Sequence, residues 1–317
     1  MLTVQKYGGS SLADPEKIRR AAARCIEEKR RGRDVVLVVS AMGDTTDELL
    51  ALAWDVSSDP SVRELDALLS TGECVSAALT ALTLEGMGCP ACSLSGWQSG
   101  IFTDAAHGAA RIETLTAMRV RDLLARGVVP VVTGFQGIDS FGDVTTLGRG
   151  GSDTTAVALA SALRAERCEI CTDVAGIYTA DPRLVPAARL LPEIDLRDML
   201  RLSYAGAQVL YAPSLELALE RGVTITLRSS DGGGEGSCVR PLEEPRRAPL
   251  AGLACRGGTL TLVGRDASGA SARMRAELER RGIAVLRASD ARGSAELELR
   301  ERDVPEAMQA LHRVFFE

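Results

Sequence analysis

The sequence predicts an α/β fold, with helices packed on a mostly parallel sheet, followed by a small α+β module. Three observations carry this reading. Continuous β-branched runs, Val35–Val39 and residues 128–133, fit strands buried on both faces. Segments with apolar residues at helical spacing alternate with those runs, the order of a layered α/β sandwich. After a stretch rich in Gly, Pro and charge at 230–249, the pattern changes to short strands and two helices.

Each element follows from local chemistry. Leu2–Lys6 is a strand, and Tyr7-Gly8-Gly9-Ser10-Ser11 a tight loop. Asp14 caps a helix over 15–31 with Pro15 at its first position, and Ile18, Ala21, Ala22, Cys25 and Ile26 form its apolar stripe. Strand 35–39 completes a βαβ unit. Helices are expected over 45–56 and 61–86, a strand over 91–95, a helix over 111–126 and a strand over 128–133. Residues 134–146 read as a Gly-rich hairpin, 153–164 as a helix and 167–172 as a strand. Helices over 195–202 and 213–221 and a strand over 223–227 close this part, and 231–248 reads as a linker. Strands at 250–254, 259–263, 284–288 and 295–299 and helices at 272–281 and 304–315 make the module. The expected domains are 1–230 and 249–317.

Composition narrows the function classes. The 317 residues are 45% apolar and 25% charged, enough for about two globular domains. The net charge of -6 and the absence of a basic run argue against a nucleic-acid surface. No apolar run reaches the roughly 18 residues of a membrane span, and no signal peptide is read at the start. The cytoplasm is therefore the expected compartment. Of eight Cys, Cys89/Cys92 and Cys168/Cys171 are spaced as C-x-x-C. Residues three apart on a strand face opposite ways, so Cys168 and Cys171 read as core, and no metal site is expected.

Thr145-Thr146-Leu147-Gly148-Arg149-Gly150-Gly151-Ser152-Asp153 reads as an anion site. Glycines permit close backbone approach, a helix start offers unpaired N–H groups, and Arg149 adds a fork for a carboxylate or phosphate. Only three of the 37 basic residues are Lys, and Lys6 stands beside Gly8-Gly9. In parallel sheets ligands bind at the carboxyl ends of strands. Lys6, Ser40 and Thr172-Asp173 all fall there. With only two His, a His-based nucleophile mechanism has little to build on.

Five motifs together resemble the aspartate kinases of the amino-acid kinase superfamily. They are Lys6-Tyr-Gly-Gly-Ser-Ser11, Val39-Ser-Ala-Met-Gly-Asp-Thr-Thr46, Leu69-Ser-Thr-Gly-Glu73, the Thr145–Asp153 stretch and Thr172–Arg183. The resemblance covers about residues 2–230, and the tail is similar to an ACT domain. It implies a three-layer αβα sandwich with a ferredoxin-like ACT domain. It also implies phosphorylation of L-aspartate to 4-phospho-L-aspartate, the first step of the aspartate-family pathway or a variant of it. Lys6 and Asp153 would be catalytic, with Lys6 on the transferring phosphoryl group and Asp153 orienting it. Ser40, Thr45, Glu73, Arg149, Gly151 and Ser152 would bind substrate, Arg149 meeting its α-carboxylate and Glu73 its amino group. Gly8 and Gly9 would direct N–H groups at the phosphates, joined by Ser10, Thr172, Asp173, Tyr178, Asp181 and Arg183 around ATP. Mg²⁺ would arrive with ATP, and a homodimer is expected. A kinase for another acidic amino acid or an aspartate analogue, and a non-catalytic amino-acid sensor with a degenerate kinase fold, are the alternatives.

Two departures stand out. Gln208 and Pro213 occupy positions where the family often carries Lys and Arg, which removes charge near the phosphates. The family also typically has two ACT domains, one inserted in the other, whereas one module fits here. Its fourth strand would come from residues 250–254.

Overall fold

The computed structural model describes residues 1–317. In chain order its first elements are β1 (Leu2–Tyr7), α1 (Pro15–Arg30), β2 (Asp34–Val39), α2 (Thr45–Val56), α3 (Val62–Gly86), β3 (Ala91–Leu94), β4 (Ile101–Thr103) and β5 (Ile112–Leu115). Next come α4 (Met118–Ala125), β6 (Val129–Thr133), β7 (Gln136–Ile138), β8 (Val144–Thr146), α5 (Gly151–Leu163), β9 (Arg167–Thr172), β10 (Ile177–Tyr178), β11 (Leu190–Leu191) and β12 (Glu193–Asp195). The chain ends with α6 (Leu196–Tyr204), α7 (Ala212–Arg221), β13 (Ile225–Ser229), β14 (Ser237–Arg240), β15 (Gly252–Arg256), β16 (Thr259–Val263), α8 (Ser271–Arg280), β17 (Arg287–Ala291), β18 (Ser294–Glu298) and α9 (Val304–Phe316).

Two compact units emerge. The first comprises Met1–Ala175 and Glu220–Gly234. Its main sheet is parallel: β1 pairs with β2 and β9, β9 with β13, β2 with β6 and β6 with β3. Val35, Leu37 and Val39 pack under α1 and α3 with Ile18, Ala22, Cys25, Ala77 and Leu84. Alternation turns Val36 and Val38 to the opposite face, where they too are fully buried. A second sheet, ordered β5-β4-β7-β8, leads directly into the Arg149 turn. By length and composition alone α3 could cross a membrane, but it carries a line of buried polar residues on its inner face and packs as a core helix.

The second unit comprises Gly176–Leu219 and Glu235–Glu317. It contains an antiparallel sheet ordered β15-β16-β18-β17. Leu260, Leu262 and Leu297 from its strands join Met274 and Leu278 of α8 and Leu311 of α9 in one core. The strand next to β16 comes from Gly252–Arg256, as the sequence leads one to expect for the fourth strand.

Several expectations need correction. Residues 112–115 form β5, antiparallel to β4, so the helix expected over 111–126 is only α4. Ala117 in the left-handed region marks the break between the two. The expected linker 231–248 holds β14, paired in parallel with β12. Ser237 anchors it by accepting from the Ile177 N–H at 2.8 Å and donating to the Leu191 carbonyl at 2.5 Å. Consequently 176–219 and 235–248 cluster with the tail, not with the first 175 residues. The strand expected at 284–288 lies at Arg287–Ala291, three residues later, because the chain first turns at Gly282.

Leu37 lies at the centre of the main sheet with no exposed surface. Leu37→Ala should cost about 2–5 kcal/mol of unfolding free energy, read by urea denaturation. A loss below about 1 kcal/mol would mean that this layer is not a close-packed core.

Candidate active site

The parallel register sets the site. Lys6 is one residue from the end of β1, beside Val38 of β2. Its Nζ lies 2.6 Å from Asp153 Oδ1, both side chains little more than a tenth exposed. Asp153 stands in the first turn of α5, where a carboxylate is favoured by the helix dipole. The chain reaches that turn through Gly148 and Gly150, at φ +70° and +74°, a region that glycine enters without strain. A Cβ at Gly134 would fall 2.6 Å from Ser152, so this glycine lets the end of β6 approach the start of α5. Ser152 Oγ in turn lies 3.0 Å from Ser40 Oγ, just past β2.

The loop after β2 is gripped from α3. Glu73 Oε1 accepts from the Ala41 N–H at 3.0 Å, and Ser76 Oγ donates to the Ser40 carbonyl at 2.7 Å. Glu73 is 3% exposed, and its Oε2 is buried without a partner. Burial pushes its carboxyl up from 4.5 to about 7. An unpaired oxygen of this kind suits an ammonium group supplied by a ligand. Thr45, at the start of α2, lies against the Gly72 backbone one residue away. Lys6, Asp153, Ser152, Gly151, Ser40, Thr45 and Glu73 thus form one constellation. Arg149 follows on the exposed turn and forms no ion pair.

Other expected residues fare unevenly. The Gly8 N–H donates to the Cys171 carbonyl at 3.3 Å. Gly9 packs against the loop after β2: a Cβ there would meet the Ala41 and Gly43 carbonyls at 2.8 and 2.9 Å. Ser10 is exposed, and its carbonyl accepts from Lys17 Nζ. Thr172 ends β9, its hydroxyl 2.9 Å from Asp173 Oδ1. Tyr178, Asp181 and Arg183 belong to the second unit. Tyr178 lies on β10, and Asp181 accepts from the Arg183 N–H and guanidinium, which lowers its carboxyl. All eight Cys are free. His107, Asp139 and Asp143 lie close together, but Asp139 caps its own turn and Asp143 pairs with Arg63.

Sequence reasoning missed Asp66 and Ser76. Both lie on the inner face of α3, where a helical pattern alone gives no reason to single out a polar residue.

Glu73 should make the ligand-free protein pH-sensitive. The folded state keeps a proton that the unfolded chain releases above its ordinary value of 4.5, so stability falls as pH rises from there through about 7. Between pH 5 and 8 the wild type should lose on the order of 3 kcal/mol more unfolding free energy than Glu73→Gln. Parallel pH profiles of the two would refute the assignment.

The model of the amino acid kinase family matches residues 1–229. The aspartokinase of Geobacillus stearothermophilus is 52% identical over 239 residues, 75% of this chain and 59% of its own length. That of Mycolicibacterium smegmatis is 51% identical over 260 residues, 80% of this chain and 61% of its own. The chain thus spans about three fifths of the curated relatives it matches. Aspartokinase III of E. coli, solved in complex with aspartate and ADP, superposes with a TM-score of 0.87 at 22% identity, covering all of both chains. An aspartate kinase structure from Synechocystis gives 0.70 at 30% identity, over 99% of this chain and 69% of that one. With the family model spanning the whole of the constellation around Lys6 and Asp153, the chain belongs to the amino acid kinase family.

Proposed function

We propose that this protein is an ATP-dependent aspartate kinase producing 4-phospho-L-aspartate and ADP. The observation that carries the reading is the pair between Lys6 of β1 and Asp153 in the first turn of α5, together with a buried Glu73 oxygen that has no partner. Relatives named aspartokinase at about half identity support it.

The acceptor carboxylate is already ionised at neutral pH, so no strong base is needed. A side-chain oxygen of aspartate attacks the γ-phosphorus, the new O–P bond forms, and the bond to the β-phosphate oxygen breaks as ADP leaves. Catalysis then rests on position and charge. Lys6 neutralises charge on the transferring group, and Asp153 holds its ammonium in place. Glu73 receives the substrate ammonium and Arg149 its α-carboxylate. Ser40, Thr45, Gly151 and Ser152 line the pocket. The family resemblance assigns Gly8, Gly9, Ser10, Thr172 and Asp173, and separately Tyr178, Asp181 and Arg183, to nucleotide binding. Mg²⁺ bound to ATP supplies further neutralisation of the phosphates and keeps most of its waters. Residues 249–317 act as a single ACT-like regulatory module, and the working form is a cytoplasmic homodimer.

Incubation with ATP-Mg²⁺ and L-aspartate, with the acyl phosphate trapped as its hydroxamate, should give product. No product with any acidic amino acid would end the kinase reading, and a stronger signal with another acid would reassign the substrate. Lys6→Ala should lower kcat about 10²–10³-fold in protein that still folds, although the buried Asp153 left unpaired lowers its thermal stability. A fully active variant would remove Lys6 from its role. Gln208→Lys should lower the KM for ATP several-fold; an unchanged value would place this exposed residue away from the nucleotide.

A further inference from the structure

Asp66 sits near the start of α3, 1% exposed, and its carboxylate collects donors from two separate segments. It accepts from the Thr146 N–H at 3.0 Å and the Thr146 hydroxyl at 2.5 Å. It also accepts from the Gly108 N–H at 2.9 Å and lies 2.9 Å from His107 Nδ1. Hydrogen bonds to a carboxylate are about twice as strong as neutral ones. Thr146 ends β8, three residues before Arg149. The two segments meet twice more. The Ala110 N–H donates to the Thr146 carbonyl at 2.8 Å, and a Cβ at Gly148 would lie 3.1 Å from the Gly108 carbonyl.

Arg149 itself is exposed and held by no ion pair, so its guanidinium is located only through the backbone that carries it. That backbone is fastened at Asp66. Asp66 and Glu73 stand seven residues apart, two turns of one helix, so both lie on the same face about 10 Å apart. One rigid helix therefore sets the position of the carboxylate-binding arm relative to the group that receives the ammonium.

We infer that Asp66 is a positioning residue that fixes the Arg149 arm and so governs affinity for the α-carboxylate of the amino-acid substrate. The inference rests on the aspartate kinase reading above. A merely structural Asp66 would affect both substrates and turnover together. A positioning Asp66 acts on one functional group of one substrate.

The test compares wild type with Asp66→Asn and Thr146→Val, the latter removing one donor with little change of shape. Asp66→Asn should raise the KM for L-aspartate at least tenfold, with the KM for ATP within twofold and kcat within threefold of wild type, the pattern of lost uniform binding. Thr146→Val should raise it several-fold. β-Alanine is aspartate without its α-carboxylate, and its inhibition constant should be unchanged in both variants, so that the preference for aspartate shrinks. An unchanged KM for aspartate in both variants, or an equal weakening of aspartate, β-alanine and ATP, would overturn the inference. If Asp66→Asn does not fold, Thr146→Val decides by the same criteria. Wild type inactive with aspartate would instead overturn the functional reading, and this inference with it.

Discussion

The end of β1 must hold a positive charge where little water reaches, and much of the site is arranged to allow that. Lys6 and Asp153 are both largely buried and in contact. Such a pair is weak evidence for stability, since desolvation offsets much of the Coulomb gain. Its consequence is geometric: the ammonium is fixed at the carboxyl edge of the sheet. Asp153 can reach it only because α5 begins close to the end of β6. That approach requires Gly134, whose Cβ would collide with Ser152, and a turn through Gly148 and Gly150. Phe135, next in the chain, sits at φ +71°, a strained conformation for a bulky residue. The strain lies beside the site, in the segment that brings β6 and α5 together.

The helix α3 shows the same preference for position over stability. Asp66, Ser70, Glu73, Ser76 and Thr80 are all buried on it. Leucines at those places would make a better core. Ser76 and Glu73 hold the loop after β2, and Asp66 holds the start of the Arg149 turn. The Asp66 carboxylate is saturated with donors, whereas Glu73 keeps one oxygen unpaired and its carboxyl is raised by burial. The two acids divide the labour of one face. Asp66 is satisfied within the protein's own structure, whereas one oxygen of Glu73 finds no partner there.

Much of this was legible in the sequence. The β-branched runs located β2 and β6, and the Pro15 start located α1, because those signals are local. Lys6, Asp153 and Ser40 stand out in the sequence as motif residues at strand and helix ends, and Glu73 as a motif residue inside α3. What escaped depends on contacts distant in sequence. β5 and β14 are short and take their shape from partners, β4 and β12, that no local pattern names. Asp66 meets Thr146 eighty residues away, so its role exists only once the chain is folded.

The second unit argues against treating the tail as a detachable appendage. Thr179, within the segment similar to nucleotide-binding motifs, has its hydroxyl 2.9 Å from His312 Nε2 on α9, and its carbonyl accepts from the Leu253 N–H on β15. Gln309, also on α9, donates to the Leu184 carbonyl just beyond Arg183. His312 is fully buried, stacked on Phe316, and burial lowers its affinity for a proton. Removing the last helix would therefore take away the His312 contact of the Thr179 hydroxyl and the Gln309 donor of the Leu184 carbonyl, in the stretch that carries Tyr178 and Asp181. The tail is part of the structure that shapes this segment.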